Sequence, residues 1–460
     1  MYPRVAVPLI PESQAAVSYI DTPIRRLGVA TLCLFLLFAY GRVLDLKAAG
    51  LHIPLALSLF ALFCAALSGG IPRALSSRIG ILLTALTVWM ILCVPFAYWR
   101  SNALDMVKDH WARSFLLYVL LASLLGSLKD CRRAMTALAW GTIMVTGLAL
   151  YFRQTVRGRI IVPNTALTNS NDIAQVLLMC VPFLVLLTLR GNNLVMRVFA
   201  ALCVPPVFVV ILKTGSRGAL IAIAISGLLL FWHAPMTGKI KLAVLGVGAM
   251  VVFAFFLPST VRSRYLTIFG GGTSSVPDES DEESAIASAH ERKALLMQAV
   301  KISAKRPVFG VGPGNFQAYA ALDSAESRQR ARWRVTHNTY LQLSSEIGVL
   351  GAALFLAVMV YCFRQLSLVM KACKNRPDAI PLSHTAFALR YSLLTYAITA
   401  FFSSTAYEIL FPTIAGLCAA LISAAQDELR SAPAPLPVVA IPVRRQTRLM
   451  LAPTAGSVSS

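Results

Sequence analysis

Val335–Phe355 reads VTHNTYLQLSSEIGVLGAALF. It starts polar, turns apolar within a few residues and stays apolar to Cys362, so it is predicted to carry the chain from water back into a bilayer. Working backwards, everything from about Phe256 to Ile347 is a polar interruption in an otherwise oily chain. It opens after FAFFLPS (253–259) and passes through an acidic run, PDESDEES (277–284). A helix-like segment follows, HERKALLMQAVKISAKRP (290–307), and then a glycine-rich turn, FGVGPGNF (309–316). One histidine, His337, stands where polar chain meets apolar helix.

Composition agrees with a membrane chain. Of 460 residues 57% are hydrophobic and only 13% charged, and mean hydropathy is +0.69. A soluble protein carries about twice that charged fraction. Apolar runs near 27–41, 51–69, 79–98, 114–127, 134–152, 173–189, 194–212, 218–232, 240–257, 341–362, 385–402 and 409–425 predict an all-α polytopic protein of about twelve transmembrane helices. Short alternating segments of the kind a transmembrane barrel needs are absent from the sequence. The expected layout is an N-terminal tail (1–26), helices one to nine (27–257), a large loop (258–338), helices ten to twelve (339–425) and a disordered proline-rich tail (426–460).

A formal charge of +22 invites a nucleic-acid reading, but in a membrane protein topology explains it better. With the amino terminus in the cytoplasm, short connections and tails on that side hold about 20 Lys and Arg, against about 10 in short connections on the other. Both termini are therefore expected inside and the large loop outside. The nine cysteines fall in apolar runs or short loops, with neither a disulfide framework nor a zinc spacing. No cleavable signal is evident in MYPRVAVPLIPESQ, and no internal repeat of the secondary-transporter kind is visible.

Basic residues on the outer side are the informative ones. Lys213 and Arg217 bracket a tight polar turn, KTGSRG (213–218), between two apolar helices. Charge at a helix end ordinarily snorkels to headgroups, yet the small residues around Arg217 also let a ligand approach. Arg292 precedes Leu295, Leu296, Ala299, Val300 and Ser303 at helical spacing, which turns it inward while Lys293, Lys301 and Lys305 point mostly elsewhere. An inward arginine needs an anion, either a structural carboxylate or a phosphate matched to its planar fork. The glycine run 309–316 is no phosphate loop, because no Gly-Lys-Ser/Thr follows and no strand precedes it. It reads as a turn that lays the loop on the membrane.

His337, with Asn338 beside it, sits on the same side as both arginines, and a near-neutral imidazole can take a proton from an attacking hydroxyl. Most lone histidines are merely satisfied polar groups; position distinguishes this one. Glu346 falls nine residues on, near the opposite face of a straight helix, so it is a poor orienting partner but remains a functional or packing candidate, as do Asp172 and Glu408. Arg153, Arg157, Arg159, Asn164, Asn169, Asn171 and Asp172 line the connection before the sixth segment, where a solvated loop is the ordinary reading. The acidic run lacks calcium-loop spacing and reads as a solvated spacer.

Taken together, Ser216-Arg217-Gly218 after an apolar helix, Arg292 heading a helix that runs into Pro307–Gly314, His337-Asn338, Glu346-Ile347-Gly348 with Gly351, and Asn169–Ala174 resemble the O-antigen ligase and polymerase superfamily of bacterial envelope enzymes, over roughly residues 150–365. The resemblance implies about twelve helices with one large periplasmic loop containing short helices, a GT-C-like arrangement in the inner membrane. It implies transfer of a glycan from undecaprenyl diphosphate to an acceptor, inverting, without nucleotide sugar, metal or other cofactor. Carried over, Arg217 and Arg292 would hold the diphosphate and His337 would act as base. Lys213, Arg159, Asn171 and Asn338 are secondary candidates. The acceptor expected first is lipid A–core; a second lipid-linked repeat (polymerase) or a protein hydroxyl are the alternatives within the superfamily. Outside it, the alternative is a transporter of lipid-linked sugar or of an anion.

Overall fold

The computed structural model describes residues 21–47, 49–156, 158–163, 165, 167, 169–256, 261, 265, 279–326 and 334–431. Arg157, Asn164, Pro277, Asp278 and most of both tails lie outside them.

Each of the twelve apolar segments falls on a helix. These are α1 (Pro23–Gly41), α2 (Ile53–Leu67), the short α3 (Gly70–Ser76), α4 (Arg78–Cys93), α5 (Ala112–Leu124) and α6 (Leu128–Phe152). After a small hairpin come α7 (Ser170–Arg190), α8 (Leu194–Lys213), α9 (Arg217–His233) and α10 (Met236–Phe256). The polar interruption supplies α11 (Glu279–Lys305) and α12 (Phe316–Glu326), and the bundle is completed by α13 (Thr339–Ala372), α14 (Ile380–Thr399) and α15 (Leu410–Ser431).

Not every one of these crosses a membrane on its own credentials. Among the described residues seven helices are long and apolar enough, α1, α4, α6, α7, α8, α13 and α15, or eight if α2 and α3, bent by 92°, count as one. For α5, α9 and α14 the shortfall has physical causes. α5 continues without a break from helical turns at Arg100–Trp111, but those turns carry Arg100, Asp105, Lys108 and Asp109, so the apolar part alone is shorter than a ~30 Å hydrocarbon core requires. The 17 residues of α9 are apolar but also short. In α14, polar Thr385, Ser392 and Thr395 are turned into the bundle rather than toward lipid, which lowers its hydropathy without exposing anything.

Packing divides the helices into core and rim. The apolar windows of α15 and α7 are 78% and 67% buried, whereas that of α8 is 22% buried and faces outward. α7 packs on α6, α8 and α14, while α15 packs on α5. α7 is therefore the spine against which both ends of the molecule can be placed. Its first residues, Ser170 and Asn171, stand at one end; Arg190 stands at the other, about 30 Å away.

The acidic run departs from its sequence reading. From Glu279 onward it is the first turns of α11, not a spacer. Glu and Ala favour helix, and carboxylates at a helix amino end meet the positive end of its dipole. On α11 the inward stripe is Leu295, Ala299 and Ile302, which join Val311, Phe316 and Ala320 in a small separate core. Val300, expected inward, is 51% exposed, and Ile302 takes its place.

Candidate active site

The local structure of the glycine-rich turn follows from a break in α13. Gly348 has φ +73°, so the helix from Thr339 is interrupted about a quarter of the way along. A broken helix leaves carbonyls without intrahelical donors. Here they are taken up by distant chain: Val311 N–H donates to Ser345 O (2.9 Å), Gly312 N–H to Glu346 O (2.8 Å) and Trp89 Nε1 to Ile347 O (2.8 Å). Val349 N–H beyond the break donates to Pro307 O (2.8 Å). The approach is so close that a Cβ at Gly348 would lie 1.8 Å from Val308 O, and one at Gly310 2.4 Å from Glu346 C. The turn is thus laid on α13 itself rather than simply on the membrane.

Glu346 locks this clasp. Its carboxylate accepts from Gly314 N–H (2.9 Å), Phe316 N–H (3.2 Å) and the Tyr407 hydroxyl (2.7 Å), and the residue is buried. Phe316 is the first residue of α12 and Gly314 lies two before it, so the Glu346 side chain accepts from amide N–H groups at that helix's amino end. Burial, and next the Glu346 charge, push the Tyr407 phenol well above its usual range, so it stays a donor. Of the two roles left open by sequence, this geometry gives Glu346 the structural one.

His337 precedes α13 in an unusual conformation. Its φ is +52°, in the left-handed region. Of the other described non-glycine residues with positive φ, Arg42 and Arg153 are helix C-caps, where such geometry is common, and His52 stands just before α2. His337 is not a cap; Asn338 is, its side chain accepting from Tyr340 N–H and Leu341 N–H (both 3.0 Å). The strain at His337, of order 1–3 kcal/mol, is held by its neighbours. Thr336 Oγ1 donates to Asn338 O (3.1 Å) and lies 3.0 Å from Ser404 Oγ. Thr339 N–H donates to Ala400 O (2.8 Å) and Thr339 Oγ1 to Ser403 O (2.8 Å). The half-buried imidazole is therefore mounted on the connection between α14 and α15.

The same connection receives the turn that carries Arg217. Ser216 caps α9, and Gly218 lets Phe402 sit against the helix, since a Cβ there would lie 2.5 Å from its ring. Arg217 and Lys213 are both half-buried, at the first residue of α9 and the last of α8. Arg159 is brought in by the hairpin of β1 (Thr155–Val156) and β2 (Arg159–Ile160), in which Val156 pairs with Arg159. Its Nε donates to Thr214 O (2.7 Å) and its Nη2 to Asn171 Oδ1 (2.7 Å). Two secondary candidates thereby touch each other and the 213–217 turn. Tyr265, with its hydroxyl on Leu212 O (2.8 Å), covers the same turn from the start of the polar interruption.

Arg292 arrives from the other flank. Ser303 Oγ is 2.9 Å from Ser344 Oγ, and Pro307 meets Val349, so α11 runs parallel to α13. Counting back at about 1.5 Å per residue, Arg292 lies roughly 16 Å before Ser303 and His337 roughly 10 Å before Ser344. That brings the half-buried Arg292 toward the His337 end of α13, on the stripe of Leu295 and Ala299.

Sequence reasoning missed the 399–408 connection, apart from Glu408, and missed Gln175. Ser403 Oγ donates to Gln175 Oε1 (2.8 Å), while the buried Gln175 Nε2 has no acceptor among the described residues. Gln175 is one turn after Asn171 on the same face of α7. Asp172 lies within electrostatic reach of Arg159 and Glu408. The polar run SSTAYE (403–408) between two apolar helices was the signal available.

Residues 203–356 match the family model described as O-Antigen ligase. That span begins in α8 and ends in α13, so it takes in Lys213, Arg217, Arg292, His337 and Glu346, and leaves Arg159, Asn171 and the 399–408 connection outside. No curated protein matches the chain.

Proposed function

We propose, on the support of the match between residues 203–356 and the O-Antigen ligase family model, that this chain is an inner-membrane glycosyltransferase. In this reading the donor is a glycan on undecaprenyl diphosphate, the acceptor is lipid A–core, and the reaction takes place at the periplasmic face. The observation that carries it is the convergence of His337 and the Arg217 turn on one connection, residues 399–405.

The chemistry needs little more than this chain's own side chains. A hydroxyl of the acceptor gives its proton to the His337 imidazole as its oxygen bonds to the anomeric carbon. The bond from that carbon to the diphosphate oxygen breaks, and the electron pair leaves with the diphosphate. Negative charge grows on the leaving group, where Arg217 and Arg292 supply permanent cations. Attack from the side opposite the leaving group inverts the anomeric centre. Arg159 and Asn171 hold the turn that presents Arg217, a positioning role.

The test is transfer by purified protein given lipid-linked glycan and lipid A–core. His337→Asn is the informative variant, because asparagine tolerates the left-handed backbone that alanine does not, yet cannot act as a base. It should fold normally and lose about 10²–10⁴-fold in rate. Near-normal transfer by that variant would remove His337 from the chemistry.

A further inference from the structure

At the end of α7 remote from His337, helices α1, α6, α7 and α8 enclose a crevice of about 980 Å³. That is the upper end of the ~300–1,000 Å³ range of small-molecule sites. Its walls are apolar, with Leu37, Trp140 and Leu186 among them. Its rim is basic: Arg26, Lys129, Arg132, Arg133 and Arg190, with Glu428 the one carboxylate among the lining residues. A concave surface that is oily inside and cationic at its mouth matches one kind of molecule in a bilayer.

Existing partners neutralise only part of the rim. Asp21 is taken by Arg25 (2.6 Å) and Arg26 (2.6 Å), and Asp130 by Arg25 (2.8 Å) and Arg133 (3.5 Å). Among the described residues no carboxylate forms an ion pair with Lys129, Arg132 or Arg190. Arg132 and Arg190 are nevertheless held in place. Arg132 Nη2 donates to the Arg190 carbonyl, and Arg190 Nε donates to His384 Nδ1 (3.1 Å). Each guanidinium keeps further N–H groups for an anion.

We propose that this crevice binds an anionic glycerophospholipid, its acyl chain against Leu37, Trp140 and Leu186 and its phosphate at Lys129, Arg132 and Arg190. Simple attraction between basic loops and a lipid surface does not require a concavity. Here the cations overhang one, and two are fixed by hydrogen bonds. The site is separate from the glycosyl-transfer centre by the length of α7, so it is no part of the donor site and does not rest on the proposed reaction.

Native mass spectrometry of the full chain, released from nanodiscs of phosphatidylglycerol mixed with phosphatidylcholine, reads occupancy directly. Phosphatidylglycerol should be retained preferentially and should raise the melting temperature. Lys129→Gln/Arg132→Gln/Arg133→Gln should weaken that retention by roughly one to two orders of magnitude. Should the triple variant fail to fold, Lys129→Gln/Arg133→Gln alters only exposed side chains and should still weaken it several-fold. The control is Arg364→Gln/Lys371→Gln/Lys374→Gln, which removes three charges outside the crevice, as many as the triple variant, and should retain the lipid. Equal retention of the two lipids by the unaltered protein, or equal loss in the control, overturns the proposal.

Discussion

His337 and Arg292 are ordinary residue types whose surroundings make them candidates. The imidazole occupies a backbone conformation that side chains seldom adopt, clamped by Thr336 on one side and by the Asn338 cap on the other. For Arg292, the planar fork decides. Arg292→Lys keeps the charge but gives up bidentate contact with a phosphate, and turnover should fall about 10–100-fold with protein level unchanged. Steady-state transfer in membranes with matched protein measures this; a lysine variant at full rate would exclude diphosphate recognition by that residue.

For α13 the consequential feature is its break. From Val349 to Ala372 the helix is long enough to cross the hydrocarbon core unaided, so the turns before Gly348 are available to organise the polar chain above it. They do so through Glu346. Glu346→Ala strands the Gly314 and Phe316 amides and the Tyr407 hydroxyl, and at about 1–3 kcal/mol per buried unpaired group it should destabilise the clasp by several kcal/mol. Glu346→Gln keeps an acceptor and should cost roughly 1 kcal/mol. Thermal unfolding in detergent, with limited proteolysis across residues 306–316, separates the two. Equal stability of both variants and the parent would mean that Glu346 holds nothing together.

Over the whole molecule, side chains sort to two ends. Arg159, Asn171, the 213–217 turn, Thr336–Thr339 and Ser403–Glu408 lie at one; the Arg25–Asp130 pair and the Arg132–Arg190–His384 chain of hydrogen bonds lie at the other. Counting Lys and Arg in short connections leads us to propose that the first end faces the periplasm and the second the cytoplasm. A cysteine at the exposed position Lys301 should react with an impermeant reagent from the periplasm, and one at the exposed Lys374 only after the inner membrane is opened. Cys33 and Cys203, the half-buried native thiols, are best replaced first. The opposite pattern would invert the orientation and move the proposed chemistry to the wrong compartment.

Apolar runs alone were enough to locate twelve helices, because the cost of placing backbone and charge in hydrocarbon acts locally on each stretch of chain. Arg217 and His337 stood out as polar residues where composition changes abruptly, and Arg292 by its helical spacing from apolar residues. How these pieces meet was not legible. The carbonyls freed at Gly348 are satisfied by Trp89, Val311 and Gly312, and the segment around His337 is anchored on Ser403 and Ser404, partners 34 to 258 residues away. Glu346 looked misplaced on a straight helix; with the helix broken, its carboxylate closes a turn. Hydrogen bonds between distant segments form only once helices have packed, and no periodicity in a single segment records which acceptor a far-off donor will find.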